Sequence, residues 1–115
     1  MTKHVISIAV AAIALGAAMM LPGKTVARPV VDAAEGKAVF SANCDQCHSS
    51  TSKTVKVGPG LLGLYKGGKL PASGKPVTDA NVKARIQNGG GGMPAFKGSL
   101  TDAQIASVIA YLRTL

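Results

Sequence analysis

Cys44-Asp45-Gln46-Cys47-His48 sets two thiols three residues apart and an imidazole directly after the second. At the end of a helix, side chains three apart share nearly one face. Both sulfurs can then reach neighbouring vinyl groups on one edge of a porphyrin, and the next residue sits beneath its iron. The same cysteines could instead serve as a redox C-x-x-C or as half of a zinc site. A thioredoxin-like pair wants a βαβ setting, however, and zinc needs more ligands than this chain offers. The pentapeptide is therefore read as the attachment signature of a c-type haem, with Cys44 and Cys47 as the thioether positions and His48 as an iron ligand.

Upstream of that stretch lies a leader. Lys3, an apolar run from Val5 to Leu21, Pro22-Gly23 and the small-residue site Thr25-Val26-Ala27 are laid out like a secretory signal cleaved after Ala27. The run is long for a signal core and just short of the usual membrane span, so an uncleaved N-terminal anchor stays open, and with it a membrane-anchored form. Either way the sequence divides into residues 1–27, the leader, and residues 28–115, a single exported domain expected in the periplasm.

The exported part is small and thinly apolar. It has 115 − 27 = 88 residues, no Trp, and only Phe40, Tyr65, Phe96 and Tyr111 as aromatics. The positive mean hydropathy of +0.27 owes much to the leader. Domains of this size usually need a staple, and two cysteines three positions apart cannot cross-link distant segments. A large buried cofactor answers that need.

Export also narrows the choice of second iron ligand, because residues 28–115 retain one His, His48, and one Met, Met93. A lone Met is ordinarily a core gap-filler. Met93 instead stands in Gly91-Gly92-Met93-Pro94, outside any helical stripe. Glycines there let the backbone pass close to a porphyrin, and Pro94 stiffens the exit. Met93 is therefore expected to ligate the iron opposite His48. The partner for the other nitrogen of His48 is expected to be the Pro59 carbonyl, in Gly58-Pro59-Gly60. As a phosphate-binding signal the run Gly89–Gly92 fails, since it follows a helix rather than a strand and lacks a P-loop lysine pattern.

Charge follows the same division. Removing Lys3 and Lys24 from the 13 Lys and Arg leaves 11, against five acidic residues that all lie downstream, so residues 28–115 carry 11 − 5 = +6. Haem propionates would lower this to about +4. The lysines are scattered singly with no interleaved aromatic platform, which argues against nucleic acid and for docking on an acidic protein surface.

Helical periodicity dominates the rest, and nothing alternates with period two long enough for a strand, so the class is all-α. A first helix is expected from Asp32 to Asn43, with Glu35 at capping-box spacing and Ala34, Ala38, Val39 and Phe40 as apolar contacts. Residues 49–60 read as a loop, followed by an apolar turn at Leu61, Leu62 and Leu64 and a second loop over 67–77. Val77-Thr78-Asp79 opens a short helix to Asn88, with Val82 and Ile86 on one face and Gly89 as its stop. The last helix is capped by Thr101 with Gln104 at the capping-box position; Leu100 can staple onto Ile105, and Ile105, Val108, Ile109 and Leu112 form its apolar stripe.

Five stretches now carry a resemblance: Gly36–Phe40, Cys44–His48, Val57–Leu61, Gly92–Phe96 and Ile109–Leu112. Residues 32–115 resemble a small class I bacterial cytochrome c, similar to the c6, c551 and c553-like soluble carriers. The resemblance implies three to five short helices wrapped around one covalently bound haem, with Gly36 and Phe40 meeting the final helix near Tyr111. It further implies that Leu61, Leu62, Leu64, Ile86 and Phe96 wall the haem, and that Asn88 or Gln87 hydrogen-bonds near the Met ligand or a propionate. The lack of Trp and the four-glycine run depart from the family pattern.

The function so implied is single-electron transfer without catalysis, since His/Met ligation leaves no open iron position. Electrons would pass through the exposed haem edge to redox protein partners of a monomeric carrier. Lys53, Lys56, Lys66 and Lys97 could steer that encounter, or could simply be solvated surface charge. Two other readings stay open: a haem-bearing subunit of a larger periplasmic dehydrogenase or oxidase, and a haem enzyme or gas sensor in which Met93 is displaced.

Overall fold

The computed structural model describes Gly16, Pro22, Gly23 and residues 28–115. Apart from those three residues, the expected leader and its cleavage site lie outside the described residues. Three helices and a short 3-10 turn follow in order: α1 (Ala33–Asn43), the turn (Leu64–Lys66), α2 (Asp79–Asn88) and α3 (Asp102–Leu112). No strand forms among the described residues; isolated bridges pair Lys69 with Pro76, Gly90 with Met93 and Lys97 with Leu100. The all-α expectation holds.

Each helix starts where its capping residue dictates. Thr101 accepts a hydrogen bond from the Gln104 amide while Gln104 accepts one from the Thr101 amide, a complete capping box. Thr78 caps α2 by accepting from the Asn81 amide. Asp32 caps α1 by accepting from the Ala34 amide, but the Asp32 amide donates not to the Glu35 side chain of a capping box but to Ser107 Oγ of α3, at 3.2 Å. A tertiary contact thus satisfies a donor that a local one was expected to take.

The core is a crossing of α1 and α3 with α2 leaning on it. Val39, Phe40, Val82, Ile86, Ile105, Val108, Ile109 and Leu112 are buried, together with Leu70 from the second loop. Ala34 and Ala38, expected as apolar contacts, face solvent instead. The crossing depends on Gly36: a Cβ there would collide with the Ser107 carbonyl and approach the Val108 nitrogen to 2.9 Å. Only a residue without a side chain lets the two backbones meet so closely. One turn on, Phe40 meets Tyr111 edge to face with ring centroids 5.5 Å apart. Gly36 and Phe40 thus both meet the final helix near Tyr111 as expected, Gly36 at Ser107 and Val108 and Phe40 at Tyr111 itself.

The connecting segments are tied down rather than loose. Leu70 is buried at the base of a closed turn in which its amide donates to the Lys75 carbonyl at 2.8 Å and the Val77 amide to the Gly68 carbonyl at 3.0 Å. At the far ends of α2 and α3, the Arg113 guanidinium grips Asp79 through Nε at 3.1 Å and its terminal nitrogen at 2.6 Å. Tyr65 donates to the same carboxylate at 2.9 Å, and Arg113 lies 5.2 Å from the centre of its ring.

Candidate cofactor site

Helix α1 ends at the cysteines. Cys44 is its C-cap, donating to the Phe40 carbonyl, and the chain then turns so tightly that the amides of Cys47 and His48 both donate to the Cys44 carbonyl, at 3.1 and 3.0 Å. That turn holds both thiols and the imidazole at one end of α1. Neither cysteine is in a disulfide. Burial, and secondarily the neighbouring Cys47, pushes the Cys44 thiol up to about 11. A redox-active C-x-x-C pair needs the opposite shift, so this thiol is not tuned for disulfide exchange. A zinc centre fares no better, because no group of three His, Cys, Asp or Glu able to hold a metal forms among the described residues.

The loop over 49–60 closes onto this turn from below. Its Gly58 amide donates to the Cys47 carbonyl at 2.8 Å, and Lys56 reaches back to donate to the Asp45 carbonyl at 2.7 Å. His48 lies under Gly58, where an added Cβ would come within 2.5 Å of the ring. Its Nδ1 sits 2.8 Å from the Pro59 carbonyl oxygen, the partner expected from the sequence. With that carbonyl as acceptor Nδ1 carries the proton, and Nε2 is the nitrogen left to meet a metal.

Met93 is presented by a turn made almost wholly of glycine. Gly90 and Met93 exchange backbone hydrogen bonds at 2.9 and 3.2 Å. Gly89 has φ 64° and ψ −147°, and a Cβ there would collide with the Met93 carbonyl, so no other residue fits. Beyond the turn the chain runs back along α2, the Phe96 amide donating to the Ile86 carbonyl and the Lys97 amide to the Gln87 carbonyl. These bonds satisfy carbonyls that the end of α2 would otherwise leave unpaired.

Met93, Cys44, Leu61, Leu64 and Phe96 are partly buried and pack against the one core cluster, beside buried Ile86. Four of the five expected haem-wall residues thus gather there. The fifth, Leu62, points outward at 40% exposure. Gln87 is also corrected: its side-chain amide donates to Asp102 at 3.1 Å, which ties α2 to α3. Asn88 is exposed. The side chain that does reach the methionine turn is Arg85, which the sequence reading passed over. Its guanidinium donates to the Gly89 carbonyl at 3.1 Å.

Two thiols, an imidazole with one nitrogen oriented by a carbonyl, and a thioether on a glycine turn are a donor set that fits an iron porphyrin. Short helices carrying such a set define a class of small helical proteins built around one covalently attached cofactor.

Comparison with known proteins agrees. The family described as cytochrome C oxidase, cbb3-type, subunit III, matches residues 31–112. A cytochrome c6 from Leptolyngbya boryana is 47% identical over 81 residues, covering 70% of this chain and 89% of the relative. A cytochrome c6 from Thermosynechococcus vestitus is 38% identical over 112 residues, covering 97% of this chain and 91% of the relative. Among solved structures, cytochrome c6 from the diatom Phaeodactylum tricornutum superposes with a TM-score of 0.59 at 29% identity, over 72% of this chain and 92% of that one.

The chain belongs to the class I monohaem cytochromes c and is c6-like. As a member it carries one covalent c-type haem with iron, and it is an electron carrier rather than an enzyme.

Proposed function

We propose that this protein is an exported, periplasmic single-electron carrier whose haem is bound through thioethers at Cys44 and Cys47 and whose iron is held by His48 and Met93. The observation that carries the reading is the orientation of His48, whose Nδ1 is committed to the Pro59 carbonyl at 2.8 Å while the adjacent turn fixes the two thiols beside it. When bound, the haem supplies a one-electron couple whose potential is raised by a thioether ligand and by burial. Gly58 and Pro59 hold the His48 ring in one orientation and one tautomer. The turn from Gly89 to Met93 delivers the thioether, and Leu61, Leu64, Ile86 and Phe96 exclude water.

Export rests on the leader of residues 1–27, with cleavage after Ala27; the Thermosynechococcus relative aligns across 97% of the chain. The protein is read as a monomer that meets its redox partners at the face around Cys47. Val55 and Val57 are exposed on the loop that packs on Cys47 and covers His48, with Lys53 and Lys56 exposed beside them. That combination of apolar surface and positive charge suits brief docking on an acidic protein. Electron transfer to such a partner should slow as salt is added.

One preparation of the exported protein tests the assignment. Its intact mass should equal residues 28–115 plus one haem, and its ferric spectrum should show the methionine-to-iron charge-transfer band. Met93→Ala should abolish that band and lower the reduction potential while leaving the haem covalently attached. Retention of the band in Met93→Ala would remove Met93 from the iron.

A further inference from the structure

We infer that Arg85 is a positioning residue for the iron ligand Met93: its guanidinium clamps the hinge of the glycine turn and keeps the thioether from swinging away. The inference rests on the proposed ligation by Met93.

The turn needs such a clamp. From Gly89 to Gly92 every residue is glycine and every φ is positive, between 61° and 119°. Glycines lose more conformational freedom on ordering than any other residue, so a run of four resists being held in one shape. No side chain exists within the run to stiffen it.

What holds it comes from outside. On the exit side, Phe96 and Lys97 pair with the Ile86 and Gln87 carbonyls of α2, and within the turn Gly90 and Met93 pair with each other. The entry side has Gly89, whose amide donates to the Arg85 carbonyl at 2.8 Å and whose carbonyl accepts from the Arg85 guanidinium at 3.1 Å. Arg85 therefore binds Gly89 from both ends of its peptide frame.

The guanidinium also lies against the next residue. A Cβ on Gly90 would stand 2.8 Å from it, so the head group fills the space beside the turn. Arg85 itself is partly buried, unlike the freely exposed Lys37, Lys53 or Lys97. An arginine at a helix C-terminus ordinarily contributes a little helix stability through the last carbonyls. Here the carbonyl it takes belongs to the hinge of the turn that presents Met93, so its loss acts first on that turn.

The test is competition at the iron. Imidazole is titrated into the ferric holoprotein of wild type, Arg85→Ala, Arg85→Lys and, as a surface control on the same helix, Lys83→Ala, following loss of the methionine-to-iron band. A charge-assisted hydrogen bond that favours the ligated turn should make imidazole bind about tenfold more tightly in Arg85→Ala. Arg85→Lys, which keeps the charge and donates from a single nitrogen, should recover part of that change, and Lys83→Ala should match wild type. The reduction potential of Arg85→Ala should fall with the weakened ligation. If Arg85→Ala matches wild type, or if Lys83→Ala weakens the band as much, the clamp is refuted. A wild-type protein without the band would refute ligation by Met93 itself. Should Arg85→Ala fail to fold, the Lys variant decides by the same titration, and unchanged imidazole affinity there refutes the clamp.

Discussion

Gly36→Ala would set a methyl group against the Ser107 carbonyl and within 2.9 Å of the Val108 nitrogen. Both obstacles are backbone, so neither can rotate aside, and α1 and α3 would have to part along the core. A loss of about 3 kcal/mol in the unfolding free energy of the holoprotein is expected, read from its denaturant midpoint. A change within about 0.5 kcal/mol would mean that the crossing is not as tight as drawn. Gly36 was legible from its place in a recognisable stretch, as were Cys44, Cys47, His48, Pro59 and Met93 as candidates, because rare residue types in a short spacing leave few alternatives. Ser107 and Arg85 were not. Ser107 looks like a polar interruption beside an apolar stripe, yet it is 1% exposed, because its hydroxyl takes the Asp32 amide from 75 residues away. Arg85 looks like a solvated charge, and only the return of the chain through the glycine turn gives it a partner.

At the scale of elements, capping residues made the three helices readable to within about a residue, since Asp32, Thr78 and Thr101 each offer a side-chain acceptor just ahead of an apolar period. The loop over 67–77 was opaque by comparison. Its anchor, Leu70, has no periodic neighbour, and its burial depends on the assembled core cluster. The clasp of Tyr65, Asp79 and Arg113 is likewise made by three elements at once, and its protonation gives it a pH signature. The hydrogen bond from Arg113, more than that from Tyr65, holds the Asp79 carboxyl below the usual carboxylate range, while burial and then the Asp79 hydrogen bond push the Tyr65 hydroxyl up. A depressed carboxyl stabilises the fold above its unfolded-state value of about 4 and loses that contribution as pH falls through its folded value. A raised phenol stabilises below its unfolded-state value of about 10 and loses the contribution as pH rises beyond it. Asp79→Asn should therefore melt a few degrees below wild type at neutral pH, with the gap shrinking once the pH drops below about 4. A gap that stays constant down to acid pH would show that the carboxylate charge is not what the clasp uses.

For the whole molecule the question is what makes residues 28–115 cooperative. Buried apolar side chains among the described residues number nine, seven of them in α1, α2 and α3 as aliphatic groups and one an aromatic ring, with Leu70 reaching in from a loop. The two cysteines are unpaired with each other and stand three apart, so no covalent link joins distant segments of the polypeptide. A domain of this length with so small an apolar core falls short of the stability that larger cores supply. The covalent haem, together with the proposed bonds from His48 in the first half and Met93 in the second, would add both apolar burial and a cross-link between the two halves. The double variant Cys44→Ala/Cys47→Ala, produced without haem, should therefore show little helical circular dichroism and no cooperative melting transition at room temperature and above. Single Met93→Ala, by contrast, keeps the proposed thioethers and the proposed His48 ligand and should still melt cooperatively, at a lower temperature than wild type. A haem-free chain that melted as sharply as the holoprotein would place the source of cooperativity in the α1–α3 crossing alone, and the cofactor would then be cargo rather than core.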